Sequence, residues 1–327
     1  MLSTLWPSFI AIASGFALLV WGADRFVLGA SATARNLGVS PLIIGLTIVG
    51  FGTSAPEMLV SAIAAAAGNP NMGIGNAIGS NITNIGLVLG LTALVTPLAV
   101  RSETLKREFP VLFLIMLLSL LLLLDGEMGR FDGVILLAGL GAMIYWMVRL
   151  GLRERSNGDP MESEFIDEIP AHMPMKTALL WLVVGMAVLL GSSRMLVWGS
   201  VNVAQWFGIS DLVIGLTIVA IGTSLPELAA SVMSALKGEH DIALGNVLGS
   251  NMFNLLAVLG MPGLIMPSIT PSELLSRDYP TMFGLTLALF IMGYGFLKPG
   301  RISRAEGGLL LLGYLVYLGM LYHASIN

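Results

Sequence analysis

The chain has 327 residues, 56% of them hydrophobic and only 11% charged, with a formal net charge of −4 and a mean hydropathy of +0.87. A soluble core of this length cannot hide so much apolar surface, and a sparsely charged, slightly acidic chain offers nothing to nucleic acid, so the solvent is the bilayer. The absence of cysteine excludes disulfides, thiolate metal centres and thiol nucleophiles, and three scattered histidines argue against a zinc site.

The first predicted span covers residues 6–28. No basic stretch precedes it and no small-residue cleavage site follows, so it reads as a retained helix and not as a signal peptide. Further spans are predicted at 41–66, 72–98, 107–124 and 131–150, then at 177–198, 211–236, 242–266, 279–297 and 305–322. Each is close to the roughly 20 residues that cross about 30 Å of hydrocarbon as helix. Between the two sets of five lies 151–176, which is acidic, contains Pro160, Pro170 and Pro174, and reads as a linker.

The two sets are copies of one unit. The segment from Ala34 to Pro110 returns as Ala204 to Pro280 at a constant shift of 170 with no insertion. GLTIVGFGTSAPE at 45–57 meets GLTIVAIGTSLPE at 215–227, and GNAIGSNITN at 75–84 meets GNVLGSNMFN at 245–254. Five spans per copy is an odd number, so the second copy enters the membrane inverted. The expected fold is therefore an all-α membrane protein of ten transmembrane helices in two inverted five-helix repeats, 1–150 and 177–327, joined by the linker at 151–176. Alternating the loops across the membrane puts thirteen of the sixteen Lys and Arg residues on one side and only Arg130, Arg194 and Arg277 on the other. That asymmetry predicts a cytoplasmic linker and both termini outside.

Chemistry concentrates where apolar spans carry G-T-S-x-P-E, at Gly52 to Glu57 and Gly222 to Glu227. Proline inside a helix removes one donor and crowds the preceding turn, so carbonyls such as those of Gly52 and Thr53, or Gly222 and Thr223, lose their usual partners and become cation ligands in waiting. Thr53 and Glu57 are four apart, as are Thr223 and Glu227, which puts hydroxyl, carbonyl and carboxylate on one face. A membrane-embedded carboxylate costs a few kcal/mol and wants a counter-charge. No Lys or Arg lies in these spans. A bound cation or a proton is then the remaining counter-charge, against the plainer reading of a protonated packing residue beside a proline kink.

A second motif, G-N-x-x-G-S-N-x-x-N, puts Ser80, Asn81 and Asn84, and their copies Ser250, Asn251 and Asn254, as polar stripes on the following helices. Its glycines, Gly75 and Gly79 with Gly245 and Gly249, make small-x-x-x-small pairs suited to close helix approach. Ser80, Asn84, Ser250 and Asn254 fit site lining; Asn81 and Asn251 fit ligation and helix packing equally. Every candidate ligand is an oxygen, which suits calcium or sodium over zinc or copper, and a doubled carboxylate-plus-carbonyl set approaches the ~6 to 8 oxygens calcium takes.

At these residues the sequence resembles the cation/calcium exchanger superfamily, in its bacterial sodium/calcium exchanger branch, over nearly the whole chain. The resemblance implies a secondary antiporter of the inner membrane, not an enzyme, exchanging sodium for calcium by alternating access, with no cofactor and no obligate protein partner. It implies calcium ligation by Glu57, Glu227, Thr53 and Thr223, sodium ligation by Ser54, Ser80, Ser224, Ser250 and the backbone at Gly50 and Ala220, and Asn84 and Asn254 closing the centre. Some members carry Asp at the position of Asn254, an acid associated with potassium transport in one branch; its absence argues against potassium coupling. The first helix of each repeat, with Arg25 and Arg194 near its end, resembles the family's sliding pair. A cation/proton antiporter of the same fold stays open, since Glu57 and Glu227 can exchange protons. A channel fits the inverted, proline-broken spans less well, and the dyads or HExxH an intramembrane enzyme would need do not occur in the spans.

Overall fold

The computed structural model describes residues 5–39, 41–100, 102–157, 173–207, 220–294 and 300–326. With no water in hydrocarbon to satisfy backbone polar groups, apolar segments close their hydrogen bonds internally, and the described chain is almost entirely helical. Helix α1 spans Trp6–Leu37 and stops where Gly38 takes a left-handed conformation, φ 63°, its N–H bonding back to Ala34 and Arg35. Helix α2 is built from Pro41–Ile44, the π-helical Gly45–Val49 and Gly50–Ala66. Helix α3 is built from Pro70–Thr83, the π-helical Asn84–Leu89 and Gly90–Val95. Helices α4, Ser102–Leu123, and α5, Arg130–Asn157, complete the first repeat.

The second repeat follows the same plan. Helix α6 spans Met175–Trp206, and α7 consists of Ala220–Thr223 and Leu225–Leu236 on either side of Ser224. Helix α8 is His240–Phe253, the π-helical Asn254–Val258 and Gly260–Ile265. Helix α9 is the π-helical Leu274–Asp278 followed by Tyr279–Tyr294, and α10 is Arg304–Ile326. The ten expected spans are thus all represented. Seven of the described helices are long and apolar enough to cross a membrane. The first expected span of each repeat is too short by about two turns: α1 and α6 are 32-residue helices, so Arg25 and Arg194 lie inside them and not near their ends. Most of the linker and residues 208–219 of the seventh expected span lie outside the described residues.

The repeats are interlocked. Helices α1 and α6 run antiparallel in close contact: a Cβ on Gly15 would stand 3.2 Å from the Leu196 N atom, and one on Gly185 would stand 2.4 Å from that of Phe26. The two contacts are equivalent, because the 170-residue shift that relates the repeats carries Gly15 to Gly185 and Phe26 to Leu196. Helix α5 docks on α8 of the other repeat through Gly133, and α10 docks on α3 through Gly307, each glycine approaching backbone of its neighbour. Two antiparallel two-residue ribbons, Leu98–Ala99 with Arg301–Ile302 and Glu127–Met128 with Ser268–Ile269, cross between the repeats in the same way. Helix α8 is the most enclosed, its apolar window fully buried, whereas α5 and α10 expose Phe131, Val134, Leu309 and Leu312 outward, as lipid-facing helices do. Arg25 lies over the rings of Trp21 and Trp181, 5.9 and 5.0 Å from their centroids, and Asp24 bridges to Lys237 at 2.8 Å.

The glycine contacts make the fold sensitive to volume at chosen points. Gly29→Val, where an added Cβ would stand 2.3 Å from the Leu182 N atom, is expected to cost about 1–3 kcal/mol or more of stability. Gly141→Ala, where nothing lies within 4 Å, should melt like the parent. Thermal unfolding of the purified protein in detergent compares the two.

Candidate cation-binding site

Helices α2, α3, α7 and α8 meet in the interior. Glu57 on α2 and Glu227 on α7 are each 1% exposed. Each has an Oε2 atom with no hydrogen-bond partner, and neither forms an ion pair among the described residues. Asn246 accepts from the Thr53 hydroxyl and donates to the Glu227 carbonyl, which brings the two glutamate motifs to one place. Around them Ser54, Asn81, Asn84 and Asn254 are buried and each also has a side-chain oxygen without a partner. Buried polar atoms are nearly always paired. A cluster of acceptors left over by two neighbouring motifs offers oxygen donors whose hardness suits cations such as calcium and sodium.

The two prolines act differently. Pro56 sits inside the continuous helix Gly50–Ala66, and the distortion is taken up one turn earlier, by the π-helical Gly45–Val49. In the second copy the helix breaks at Ser224, and Pro226 stands in the first turn of the segment that follows. The expectation of two proline-broken helices is therefore met by one break and one π segment. The Gly222 carbonyl, expected as a free ligand, instead accepts the hydroxyl of Ser193 from α6 at 2.8 Å. The π-helical segments beginning at Asn84 and Asn254 were not legible in hydrophobic periodicity; they fall on equivalent residues of α3 and α8.

Several of the sequence-predicted residues come together. The Thr53 hydroxyl lies 3.1 Å from the Val49 carbonyl, 3.4 Å from that of Gly50 and 3.3 Å from the Ser250 hydroxyl. Ser250 also reaches the Gly50 carbonyl at 3.4 Å. At the crossing of α3 and α8, Asn84 donates to the Asn251 side-chain oxygen at 3.1 Å and Asn81 donates to the Asn251 carbonyl at 3.3 Å. Asn251 thus orients Asn84 so that its own amide oxygen remains available. Ser80 and Ser224 are buried, while Thr223 is half-buried. Ala220 opens α7, and its side chain lies outside the description.

The glycine expectation is met at Gly245 and Gly249; the second-repeat counterparts of their partners Leu42 and Leu46, residues 212 and 216, lie outside the described residues. Added Cβ atoms at Gly245 and Gly249 would meet the Leu42 and Leu46 carbonyls at 2.7 and 2.4 Å, whereas at Gly75 and Gly79 they would meet nothing within 4 Å among the described residues. Residues missed in the sequence are Asn246, Ser231, Ser61 and Ser193. Asn246 donates to the Glu227 carbonyl and to Ser231, and Ser61 donates to the Val258 carbonyl. Their signal was present: Asn76 and Asn246 share a register, as do Ser61 and Ser231, four residues beyond the glutamates.

Comparison with known proteins identifies the family. A family model described as sodium/calcium exchanger protein matches residues 7–149 and 177–323. CaxA of Alkalimonas amylolytica is 51% identical over 96% of this chain and 98% of its own. The inner membrane protein YrbG of Escherichia coli K12 is 40% identical over 95% of each chain. The sodium-calcium exchanger NCX_Mj, in the structure soaked with zero Na+ and Ca2+, superposes with a TM-score of 0.82 at 34% identity, over 96% of this chain and 99% of its own. This chain, a multi-pass inner membrane protein, belongs to the sodium/calcium exchanger family and is a cation/calcium antiporter, not an enzyme.

Proposed function

We propose that the protein exchanges sodium for calcium by alternating access at the site between α2, α3, α7 and α8. The observation that carries this reading is the cluster of buried, unpartnered oxygens at Glu57, Glu227, Asn84 and Asn254, with no ion pair to either carboxylate among the described residues. Calcium would take the two carboxylates with the Thr53 and Thr223 carbonyls, while sodium ions would take Ser54, Ser80, Ser224, Ser250 and the carbonyls of Gly50 and Ala220. Asn84 and Asn254 would close the centre. NCX_Mj, whose structures were obtained after soaks in sodium with calcium or strontium, supports these cargoes. In the membrane, residues 1–150 and 177–327 act as inverted repeats, with 151–176 as a cytoplasmic linker and both termini periplasmic.

Glu57→Gln and Glu227→Gln each remove one charged hard ligand at constant size. Either should abolish sodium-driven calcium uptake into liposomes while leaving the amount of inserted protein unchanged. Uptake near the parent level in either variant would exclude the site.

Coupling follows from charge. Ionised Glu57 and Glu227 supply −2, and Asn84 and Asn254 are neutral, so one calcium or two sodium ions bring the site to zero. A third sodium makes exchange electrogenic, with a driving term of about 2.3 kcal/mol per charge per 100 mV. Asn254 adds no carboxylate to balance potassium. Flux in potassium-free liposomes should therefore proceed and respond to a clamped potential. Strict potassium dependence would refute the reading of Asn254, and calcium flux that follows a proton gradient but not a sodium gradient would establish proton exchange at the same carboxylates.

Orientation is tested separately. Reporter tags at residues 1 and 327 should both read as periplasmic and one within 158–172 as cytoplasmic; termini on opposite sides would refute the topology.

A further inference from the structure

We infer that Asn246 is a positioning residue that sets the spacing between the Thr53 ligand group of the first repeat and the Glu227 group of the second. The inference rests on the sodium/calcium reading of the same site. Asn246 lies on α8 one turn before Ser250 and is fully buried. Its Oδ1 accepts the Thr53 hydroxyl at 3.1 Å, and its Nδ2 donates to Ser231 Oγ at 2.9 Å and to the Glu227 carbonyl at 3.2 Å. The orientation of the amide is not arbitrary. A carbonyl can only accept, so the Glu227 carbonyl requires the NH2 group on its side and leaves Oδ1 facing Thr53.

The result is a strut with two fixed ends. One end holds the Thr53 side chain, whose single proton is contested by the acceptors Val49 O, Gly50 O and Asn246 Oδ1. The other holds the backbone of Glu227, the residue that bears the second carboxylate. Glu227 follows the helix break at Ser224, so its backbone position depends on side chains more than that of Glu57 does. Residues behind metal ligands act in this way on affinity without touching the ion.

The repeat supplies an internal control. Asn76 occupies the equivalent position but is half-buried, and among the described residues its Nδ2 makes one long bond, 3.4 Å to the Glu57 carbonyl. No bond joins Asn76 to Ser61, which donates instead to the Val258 carbonyl at 2.7 Å. Equal sequence positions therefore carry unequal structural roles.

The experiment measures sodium-driven uptake of calcium and of strontium by reconstituted full-length protein, with calcium-dependent thermal stabilisation of the purified protein in parallel. Asn246→Ser is expected to raise the calcium KM about tenfold and to change the calcium-to-strontium KM ratio by about threefold, with a maximal rate within about twofold of the parent. Asn76→Ser should raise the calcium KM by less than about threefold. Thr53→Val keeps the backbone carbonyl and the side-chain volume but cuts the same strut from its other end. Its calcium KM should rise as that of Asn246→Ser does, and the double variant should have a KM no higher than the worse single one.

Equal effects of Asn246→Ser and Asn76→Ser, or additive losses in the double variant, overturn the inference. So does loss of maximal rate with unchanged KM and unchanged selectivity, the mark of a merely structural residue. If Asn246→Ser fails to fold, Ser231→Ala, which removes the acceptor of the Asn246 amide, decides instead, and a parental calcium KM there overturns the inference. Failure of the exchange reading itself shows differently: the parent then takes up no calcium under a sodium gradient, and the shift in calcium-dependent melting still tests Asn246.

Discussion

Two carboxyl groups held in the low-dielectric interior, without a basic partner among the described residues, are the constraint on which the rest of this structure depends. Glu57 and Glu227 are each 1% exposed, and isolated buried charges of this kind cost several kcal/mol unless something compensates them. Packing of two further apolar residues would have been the cheaper arrangement for stability alone. Instead, serine and asparagine oxygens gather around the carboxyls, and several of them also lack partners. Such an arrangement makes physical sense where cations bring the missing charge, and it explains why both motifs recur in both repeats.

Collecting ligands from four helices at one point requires backbones to approach more closely than ordinary side chains allow. Glycines provide that at the α2–α8 contact, where Gly245 and Gly249 lie against backbone of Leu42 and Leu46. The same device serves the outer contacts of α5 with α8 and of α10 with α3, through Gly133 and Gly307. Because these contacts cross between repeats, neither half encloses its own carboxylate alone. Glu57 and Thr53 are completed by Asn246 and Ser250 from the second repeat, and Asn84 is oriented by Asn251.

Much of this was legible in the sequence because the bilayer restricts the possible structures. Apolar length located the helices, and the shift of 170 residues doubled every polar signal, so that Glu57, Ser80 and Asn84 were marked out by their copies. What escaped was local geometry. Hydrophobic periodicity cannot distinguish an α from a π turn, so the segments starting at Asn84 and Asn254 went unseen. The polar flanks of α1 and α6 concealed their full length, since a helix can continue past the apolar window on packing alone. Asn246 and Asn76 are identical letters in one motif; only their neighbours, which are distant in sequence, make one a triply bonded bridge and the other a marginal contact.

That inequality bears on how an inverted repeat handles its cargo. Helix α2 continues through Pro56, so Glu57 is carried on an unbroken segment from Gly50 to Ala66. Helix α7 breaks at Ser224, and Glu227 stands in the first turn of a new segment, the end of a helix that favours negative charge. A break would leave that carboxylate loosely placed, but side chains hold both sides of it. Ser193 from α6 takes the Gly222 carbonyl before the break, and Asn246 from α8 takes the Glu227 carbonyl after it. The second repeat thus achieves with two cross-helix hydrogen bonds what the first achieves with continuous helix. The backbone on both sides of the break is tied to α6 and α8, so movement of either helix is transmitted to the segment that bears Glu227. On the proposed exchange of sodium for calcium, two carboxyl groups joined to the scaffold in unequal ways suit a site that takes ions of different charge in turn.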